Sequence, residues 1–299
     1  MNKIILTCGV SSSGKSSYAK DLVKLGGWVE INRDTVRFSL FTDGVQDWSL
    51  YKFTKQKELE VSGICDKMFQ EVVSLGLSCI VSNTNLNQKD IDHWQAKAES
   101  VGYEFEVKYF PITFEDALKR DSKRGALAVG REVLIQQWQK WLVISGYKRY
   151  TPDVSKPKAI WIDLDGTIAL NTHRGHHDYD KVITDTPRLG IISMLKAWMK
   201  QDNLQPIFMS GRPDSCREDT YTWLQRYFPQ DEHGHLYLYM RTTGDNRSDR
   251  IIKEELFWEH LAPHWNIVAS VDDRKRVIRL QHDLKIPIVM DVSTTYAEY

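Results

Sequence analysis

Cysteine is scarce in this sequence: there are four, Cys8, Cys65, Cys79 and Cys216, and no two are spaced as Cys-x-x-Cys. That excludes a disulfide framework and a cysteine-based zinc ribbon. Cys8 and Cys79 lie in apolar, strand-like runs, where buried free thiols in a reducing cytoplasm are expected. No apolar run approaches about 18 residues, and no basic region leads into an apolar stretch at the start, so neither a membrane span nor a signal peptide is expected. Net charge is also missing, with 40 basic residues against 40 acidic ones. A broad basic face that coats nucleic acid is excluded; any such contact is expected to be confined to a groove. Internal repeats and low-complexity segments are absent as well.

What remains is a globular composition, 41% hydrophobic and 27% charged, over 299 residues, enough for two ordinary domains. Strand and helix signals alternate throughout, which predicts α/β architecture with parallel sheets. Ile4–Cys8, Val29–Asn32, Cys79–Ser82 and Phe105–Phe110 read as strands of the first half. Lys52–Leu75 reads as a long helix with Leu59, Cys65, Phe69 and Val72 on its buried side. The polar, proline-bearing stretch 150–157 is the expected linker, giving domains at 1–150 and 151–299. The alternation then restarts with strands at Ala159–Ile162, Pro206–Met209, Leu236–Met240, Ile267–Val271 and Ile286–Met290. Helical patterns separate them, among them Asp249–His260.

The first half carries Gly9-Val-Ser-Ser-Ser-Gly-Lys-Ser16, a full G-x-x-x-x-G-K-S loop between a strand and a helix. Such a loop turns backbone N–H groups toward phosphate oxygens. The expected cradle is Gly9, Ser12, Ser13, Gly14, Lys15, Ser16 and Ser17. Lys15 supplies charge to the β/γ-phosphates of ATP, and the Ser16 hydroxyl is placed to ligate Mg²⁺. Asp34 and Arg37 follow the second strand, at the ligand edge of a parallel sheet. Asp34 there is either a base for an attacking hydroxyl, with Arg37 steadying the acceptor, or a first-turn carboxylate beside a solvated arginine. The basic cluster 119–125, which includes Arg124, is either a lid over a triphosphate or a solvated helix end.

The second half carries Asp163-Leu-Asp165-Gly-Thr directly after an apolar strand. A spacing of two on a strand sends both carboxylates to one face until the chain turns at Gly166. Asp163 can then attack phosphorus and Asp165 protonate the leaving group. Crowded carboxylates imply Mg²⁺, with Asp163, Asp165, Asp272 and Asp273 as its candidate ligands. Ser210-Gly211-Arg212 offers a hydroxyl and a guanidinium to phosphate, and Lys253 can neutralise phosphoryl oxygens. His173, His176 and His177 read as a solvated or substrate-facing loop before a metal site. Trp138, Trp141, Trp258 and Trp265 read as core or domain-contact residues before base-stacking platforms.

Across its whole length the chain resembles the polynucleotide 5′-kinase/3′-phosphatase family of T-even bacteriophages: a P-loop kinase followed by a phosphatase of the haloacid-dehalogenase type. The resemblance rests on Gly9–Ser16, Asn32-Arg33-Asp34 with Arg37, Thr84-Asn85-Leu86-Asn87, Ser122-Lys123-Arg124-Gly125, Asp163, Asp165, Arg174, Ser210-Gly211-Arg212, Arg241, Asp249, Lys253 and Asp272-Asp273-Arg274. It implies that Asp34 is the base for a 5′-hydroxyl, that Arg37 and Thr84 lie at the acceptor, that Arg124 reaches the ATP phosphates and that Val129 packs on adenine. It further implies substrate contacts from Arg174, Arg241, Asp249 and Arg274, RNA or DNA ends as substrates, and opening of cyclic 2′,3′-phosphates. A homotetramer in the cytoplasm of an infected bacterial host, working with a nucleic-acid ligase, is also implied. The chain departs from the family at Asn83 (an aspartate there), Gly130 (a proline) and His176-His177. A metabolic kinase joined to a small-molecule phosphatase is separated from this reading by its acceptor. A binding module that merely switches on ATP hydrolysis leaves Asp163 and Asp165 unexplained.

Overall fold

The alternating apolar runs and amphipathic segments build two units, Met1–Tyr147 and Lys148–Tyr299. The computed structural model describes residues 2–175, 177–228, 230 and 235–294.

The first unit runs β1 (Lys3–Cys8), α1 (Lys15–Lys24), β2 (Trp28–Ile31), α2 (Arg33–Phe41), α3 (Lys55–Ser74), β3 (Ser78–Val81), α4 (Gln88–Ser100), β4 (Glu104–Tyr109), α5 (Phe114–Asp121) and α6 (Arg131–Ile144). Its strands form a parallel sheet in the order β2-β3-β1-β4. The central strand β1 alternates: Ile4 and Leu6 pack with Val61 and Phe69 of α3 and Trp94 of α4, whereas Ile5 packs with Ala19 of α1. Both sheet faces are therefore covered by helices, as a parallel sheet requires. Helix starts are fixed by side-chain caps: Asn32 accepts from the N–H groups of Asp34 and Thr35, and Thr54 accepts from that of Lys57.

The Thr54 cap starts α3 three residues later than the pattern implied, and Trp48–Leu50 makes a 3-10 turn ahead of it. Leu59 is 58% exposed, contrary to expectation, and Val61 is buried in its place. The buried stripe is Val61, Cys65, Phe69 and Val72, and Leu59 lies two residues, or about 200°, off it. Cys8, Cys65 and Cys79 are buried free thiols and Trp138 and Trp141 are buried, as expected; Cys216 is buried too, whereas Trp258 and Trp265 are only half-buried.

The second unit runs β5 (Lys158–Ile162), β6 (Ala169–Leu170), β7 (Thr186–Pro187), α7 (Leu189–Asp202), β8 (Gln205–Pro213), α8 (Arg217–Gln225), β9 (Tyr237–Arg241), α9 (Asp249–Leu256), β10 (Asn266–Asp272), α10 (Lys275–Leu284) and β11 (Ile288–Asp291). Its parallel sheet has the order β11-β10-β5-β8-β9, with β6 and β7 as a small antiparallel pair. Ile160 and Ile162 face a core that includes Leu195 and Trp223, whereas Trp161 stacks on Phe257, ring centroids 5.7 Å apart. The helix expected over 249–260 ends at Leu256 and widens into a π turn, where Ala262 N–H donates to the Phe257 carbonyl at 2.9 Å. Tyr150, read as the start of the linker, is buried in this unit, its hydroxyl accepting from Ile267 N–H at 2.8 Å.

In each sheet the strands run out toward one edge, where ligands of open α/β folds bind. β1, β2 and β3 deliver Gly9, Asn32 and Asn83 there; β5, β8 and β10 deliver Asp163, Ser210 and Asp272.

Trp223 is fully buried and donates from Nε1 to the Asp185 carbonyl at 2.8 Å. Trp223→Ala is expected to cost about 3–5 kcal/mol through the cavity it leaves. Trp223→Phe is expected to cost less, largely for the unpaired carbonyl. Urea denaturation followed by circular dichroism measures both.

Candidate active sites

In the first unit the loop after β1 is held by Gly9 N–H donating to the Thr84 carbonyl at 3.0 Å. A side chain at position 9 would press on Ser13 Oγ and the Phe110 carbonyl, and Gly14 takes φ 107, which disfavours any other residue. Lys15 is buried, with Nζ 2.6 Å from the Val10 carbonyl and 3.3 Å from Ser13 Oγ. Burial lowers its pKa to about 8, so the ammonium is held by weak partners that a phosphate would outcompete. Ser16 and Ser17 are exposed beside it, lining a crevice of about 320 Å³ with Asp34, Asn83, Arg120 and Arg124.

Asp34 sits on the first turn of α2, and Arg37, one turn on, donates to its Oδ1 at 2.5 Å. Arg37 also makes a two-bond contact with Glu58, Nε to Oε1 at 3.0 Å and the second nitrogen to Oε2 at 2.6 Å. Arg33 and Tyr51 add hydrogen bonds to Glu58 at 2.9 Å each. Burial alone would raise the Glu58 carboxyl, but the donors Arg37, Arg33 and Tyr51 outweigh it and hold it down at about 2. Asn83 Oδ1 accepts from Arg33 N–H at 2.9 Å, so the family aspartate's charge is not needed for that contact. Thr84 lines both the crevice and an adjoining cavity of about 770 Å³. Val129 lines the larger cavity, beside Asp34 and Arg37, and not the crevice that holds Lys15, which differs from the adenine-side expectation.

Arg124 lines the crevice with its side chain 35% exposed, 3.6 Å from Asp121. Buried Asp121 in turn accepts from Ser12 Oγ at 3.2 Å, Val129 N–H at 3.2 Å and Gly130 N–H at 2.9 Å. Proline at position 130 could offer neither that N–H nor φ 84.

In the second unit Asp163 Oδ1 takes Lys253 Nζ at 2.5 Å and Oδ2 takes the Thr167 hydroxyl at 2.9 Å. The same ammonium reaches Asp272 Oδ2 at 2.9 Å. Burial would lower the Lys253 pKa, but Asp163, Asp249 and Asp272 raise it instead. Burial raises the Asp163 and Asp272 carboxyls, each reinforced by neighbouring carboxylates. Burial and Asp163 push Asp273 up to about 6. Oxygens of Asp163, Asp272 and Asp273 lie within 4.8 Å of one another, three crowded carboxylates with one ammonium among them, which fits a divalent cation.

Asp165, expected in that ligand set, stands apart from it. Arg212 holds it by two bonds of 2.8 Å, and Arg174 adds a third at 3.0 Å. Burial would raise its carboxyl, but Arg212, Arg174 and Arg274 together lower it. Both guanidiniums are anchored by buried Asp185, at 2.7 Å from Arg174 Nε and 2.6 Å from Arg212. Arg212 thus positions a carboxylate as well as lining the cavity of about 520 Å³ above Asp163. Ser210 is fully buried, its Oγ accepting from Arg212 N–H at 3.2 Å, so it shapes the turn and does not line the cavity. Arg241 lines the same cavity, donates to the carbonyls of Gly211, Asp245 and Arg247 and lies 3.5 Å from Asp249. Arg274 pairs with Asp249 at 3.2 Å. His173 and His177 are exposed and join no metal-like cluster among the described residues; His176 lies outside them.

Glu58, Asp121 and Asp185 were not found from the sequence. None sits in a spaced motif, and each acquires its role by reaching arginines or backbone from a separate segment.

Residues 157–295 match the family described as the polynucleotide kinase PNKP phosphatase domain, and residues 4–142 match an AAA domain family. The chain is 35% identical over 308 residues to a protein of Autographa californica nuclear polyhedrosis virus named "Putative bifunctional polynucleotide kinase/RNA ligase". That alignment takes in 99% of this chain and 43% of the viral protein, so the chain spans less than half of that relative's length. Among solved structures, a chain of the Pnkp1/Rnl/Hen1 RNA repair complex is 24% identical with a TM-score of 0.43, over 98% of this chain and 97% of that one. A class C acid phosphatase from Bacillus anthracis is 18% identical with a TM-score of 0.32, over 54% of this chain and 74% of that one. Both structural likenesses are loose. Residues 157–295 thus belong to the PNKP phosphatase domain family, and with a P-loop domain ahead of them the chain has the make-up of a polynucleotide kinase/phosphatase.

Proposed function

We propose that the chain heals nucleic-acid ends, phosphorylating 5′-hydroxyl termini of RNA or DNA with ATP and hydrolysing 3′-phosphate termini. The observation that carries this reading is a phosphate crevice with a proton acceptor in one unit and a carboxylate cluster with its own lysine in the other. Mg²⁺, bound by Ser16 in the first site and by Asp163, Asp272 and Asp273 in the second, supplies charge neutralisation for phosphoryl oxygens.

In the kinase half, Lys15 and Arg124 hold the triphosphate and Asp34 takes the proton of the attacking 5′-hydroxyl. Arg37, clamped by Glu58, aims Asp34 and steadies the acceptor. In the phosphatase half, Asp163 attacks phosphorus, the bond to the 3′-oxygen breaks, and Asp165 protonates the departing oxygen. Water then attacks the acyl phosphate, gives its proton to Asp165 and releases phosphate. The arginines hold Asp165 ionised at rest; its acid role requires a bound phosphate dianion to draw on Arg212 and Arg174 and so raise its pKa. Lys253 keeps Asp163 ionised and aligned.

The product, a 5′-phosphate facing a 3′-hydroxyl, is what a ligase joins, and the viral relative's name couples the same kinase activity to a ligase. By resemblance to the phage family, the protein works as a homotetramer in the cytoplasm of an infected bacterial host. Among the described residues no helix is long and apolar enough to cross a membrane.

The two activities are expected to separate. Lys15→Ala should lower 5′-phosphorylation at least ~100-fold, about 2.7 kcal/mol of barrier, with 3′-phosphate release unchanged. Asp163→Asn should do the reverse, and parallel loss of both in either folded variant would contradict the two-site reading. Asp34→Asn should abolish phosphorylation with ATP affinity and melting temperature nearly unchanged. If Asp34 were only a first-turn residue, stability would fall by about 0.5–2 kcal/mol with transfer intact.

A third expectation concerns the cation. Raised carboxyl pKa values mean that, without metal, the folded form binds more protons than the unfolded one as pH rises from 3.8 through about 6. Stability is therefore lost across that window, and a cation that displaces those protons restores it. The melting-temperature gain on adding Mg²⁺ should be clearly larger at pH 7 than at pH 5 and should vanish in Asp272→Asn. An equal gain at both pH values would remove the three carboxylates as its source.

A further inference from the structure

Between α2 and α3 the chain presents two aromatic side chains outside the buried core, half-buried Trp48 and exposed Phe53. Trp48 and Phe53 stack with centroids 5.8 Å apart and planes 22° from parallel. Phe38 supports Trp48 from α2 at 4.7 Å, and Tyr51 meets Phe53 edge-on at 4.8 Å while its hydroxyl binds Glu58. Trp48 and Phe53 line the cavity of about 770 Å³ that also contains Asp34 and Arg37. Phe53 is nevertheless 60% exposed, and Trp48 Nε1 is buried with no hydrogen-bond partner among the described residues.

Arg37 fixes where this wall stands relative to the chemistry. Its guanidinium donates to Asp34 Oδ1 at 2.5 Å, and the carbon at its centre lies 5.4 Å from the Phe53 ring centroid. One planar group thus spans from the proton acceptor to the aromatic pair. An acceptor whose 5′-hydroxyl meets Asp34 carries its own base one sugar away, within reach of that pair. The cavity volume falls in the range of sites that enclose a small-molecule ligand. A small polyol would leave the apolar wall wet. A nucleobase covers it with a π-face, a contact that tolerates any base.

Resting on the kinase reading above, we infer that Trp48 and Phe53 form the subsite for the 5′-terminal base of the acceptor, indifferent to which base it is. Recognition is then concentrated on one nucleotide, which suits a chain with no net charge.

The test compares two oligonucleotides that differ only in a 5′-terminal adenine or an abasic 5′-terminal sugar. Wild-type kcat/KM should favour the adenine acceptor by about 5- to 100-fold, the worth of one stacked base. Replacing adenine by another base should change the rate by less than threefold. In Phe53→Ala the ratio between base-bearing and abasic acceptors should collapse toward one, and Phe53→Tyr should keep it. Equal use of the two acceptors by the wild type would overturn the inference while leaving end phosphorylation in place. If neither oligonucleotide is phosphorylated but a small polyol is, the kinase reading itself fails. If Phe53→Ala keeps the wild-type ratio but changes the sedimentation of the protein, the ring belongs to an interface between copies, and the base subsite is overturned.

Discussion

A lysine ammonium with no exposure, shared between Asp163 and Asp272, is the contact on which the phosphatase half depends. Two buried carboxylates and the half-buried Asp273, their oxygens within 4.8 Å, repel one another, and a single cation does not neutralise them. The parallel sheet forces this crowding, because β5 and β10 are neighbours that run the same way: β5 stops at Ile162, directly before Asp163, and β10 ends at Asp272. Lys253 arrives from α9 and relieves part of the repulsion; the remainder fits the site to a divalent ion. Removing the lysine would leave buried charge unpaired, a larger loss than the pair itself contributes.

The kinase half meets the same constraint with the signs arranged differently. Among the described residues no carboxylate lies at hydrogen-bonding distance of buried Lys15, which leaves its charge available to a phosphate. Asp34 and Arg37 are tied to each other and, through Glu58, to α3. Asp165 with Arg212, Arg174 and Asp185 repeats that design in the other unit: a working carboxylate is held by arginines that a buried acid keeps in place. In both halves the acid proposed to move a proton is aimed by a second acid acting through a guanidinium.

The sequence made the phosphate loop and the Asp163–Thr167 turn readable because their spacing is their chemistry: local backbone geometry alone places those groups. It also showed the strand endings, since each apolar run stops at the residue it presents. Glu58, Asp121 and Asp185 carry no local signal because partners such as Arg37, Gly130 and Arg212 lie 21, 9 and 27 residues away, joined only by folding. Asp165 was placed among the metal ligands because two-residue spacing puts it on the same face as Asp163. The chain turns after β5, and the arginines claim it instead. Leu59 failed by phase: it lies about 200° around α3 from Val61, which faces inward in its place. The Trp48–Phe53 wall gave no signal because an aromatic cluster in a loop has no period.

The most direct test of the whole account uses one oligonucleotide with a 5′-hydroxyl and a 3′-phosphate, incubated with the protein, ATP and Mg²⁺, and fragment masses read at each end. The account predicts a phosphoryl group gained at the 5′ end and one lost at the 3′ end of the same molecule. ATP consumption with both ends unchanged would contradict it.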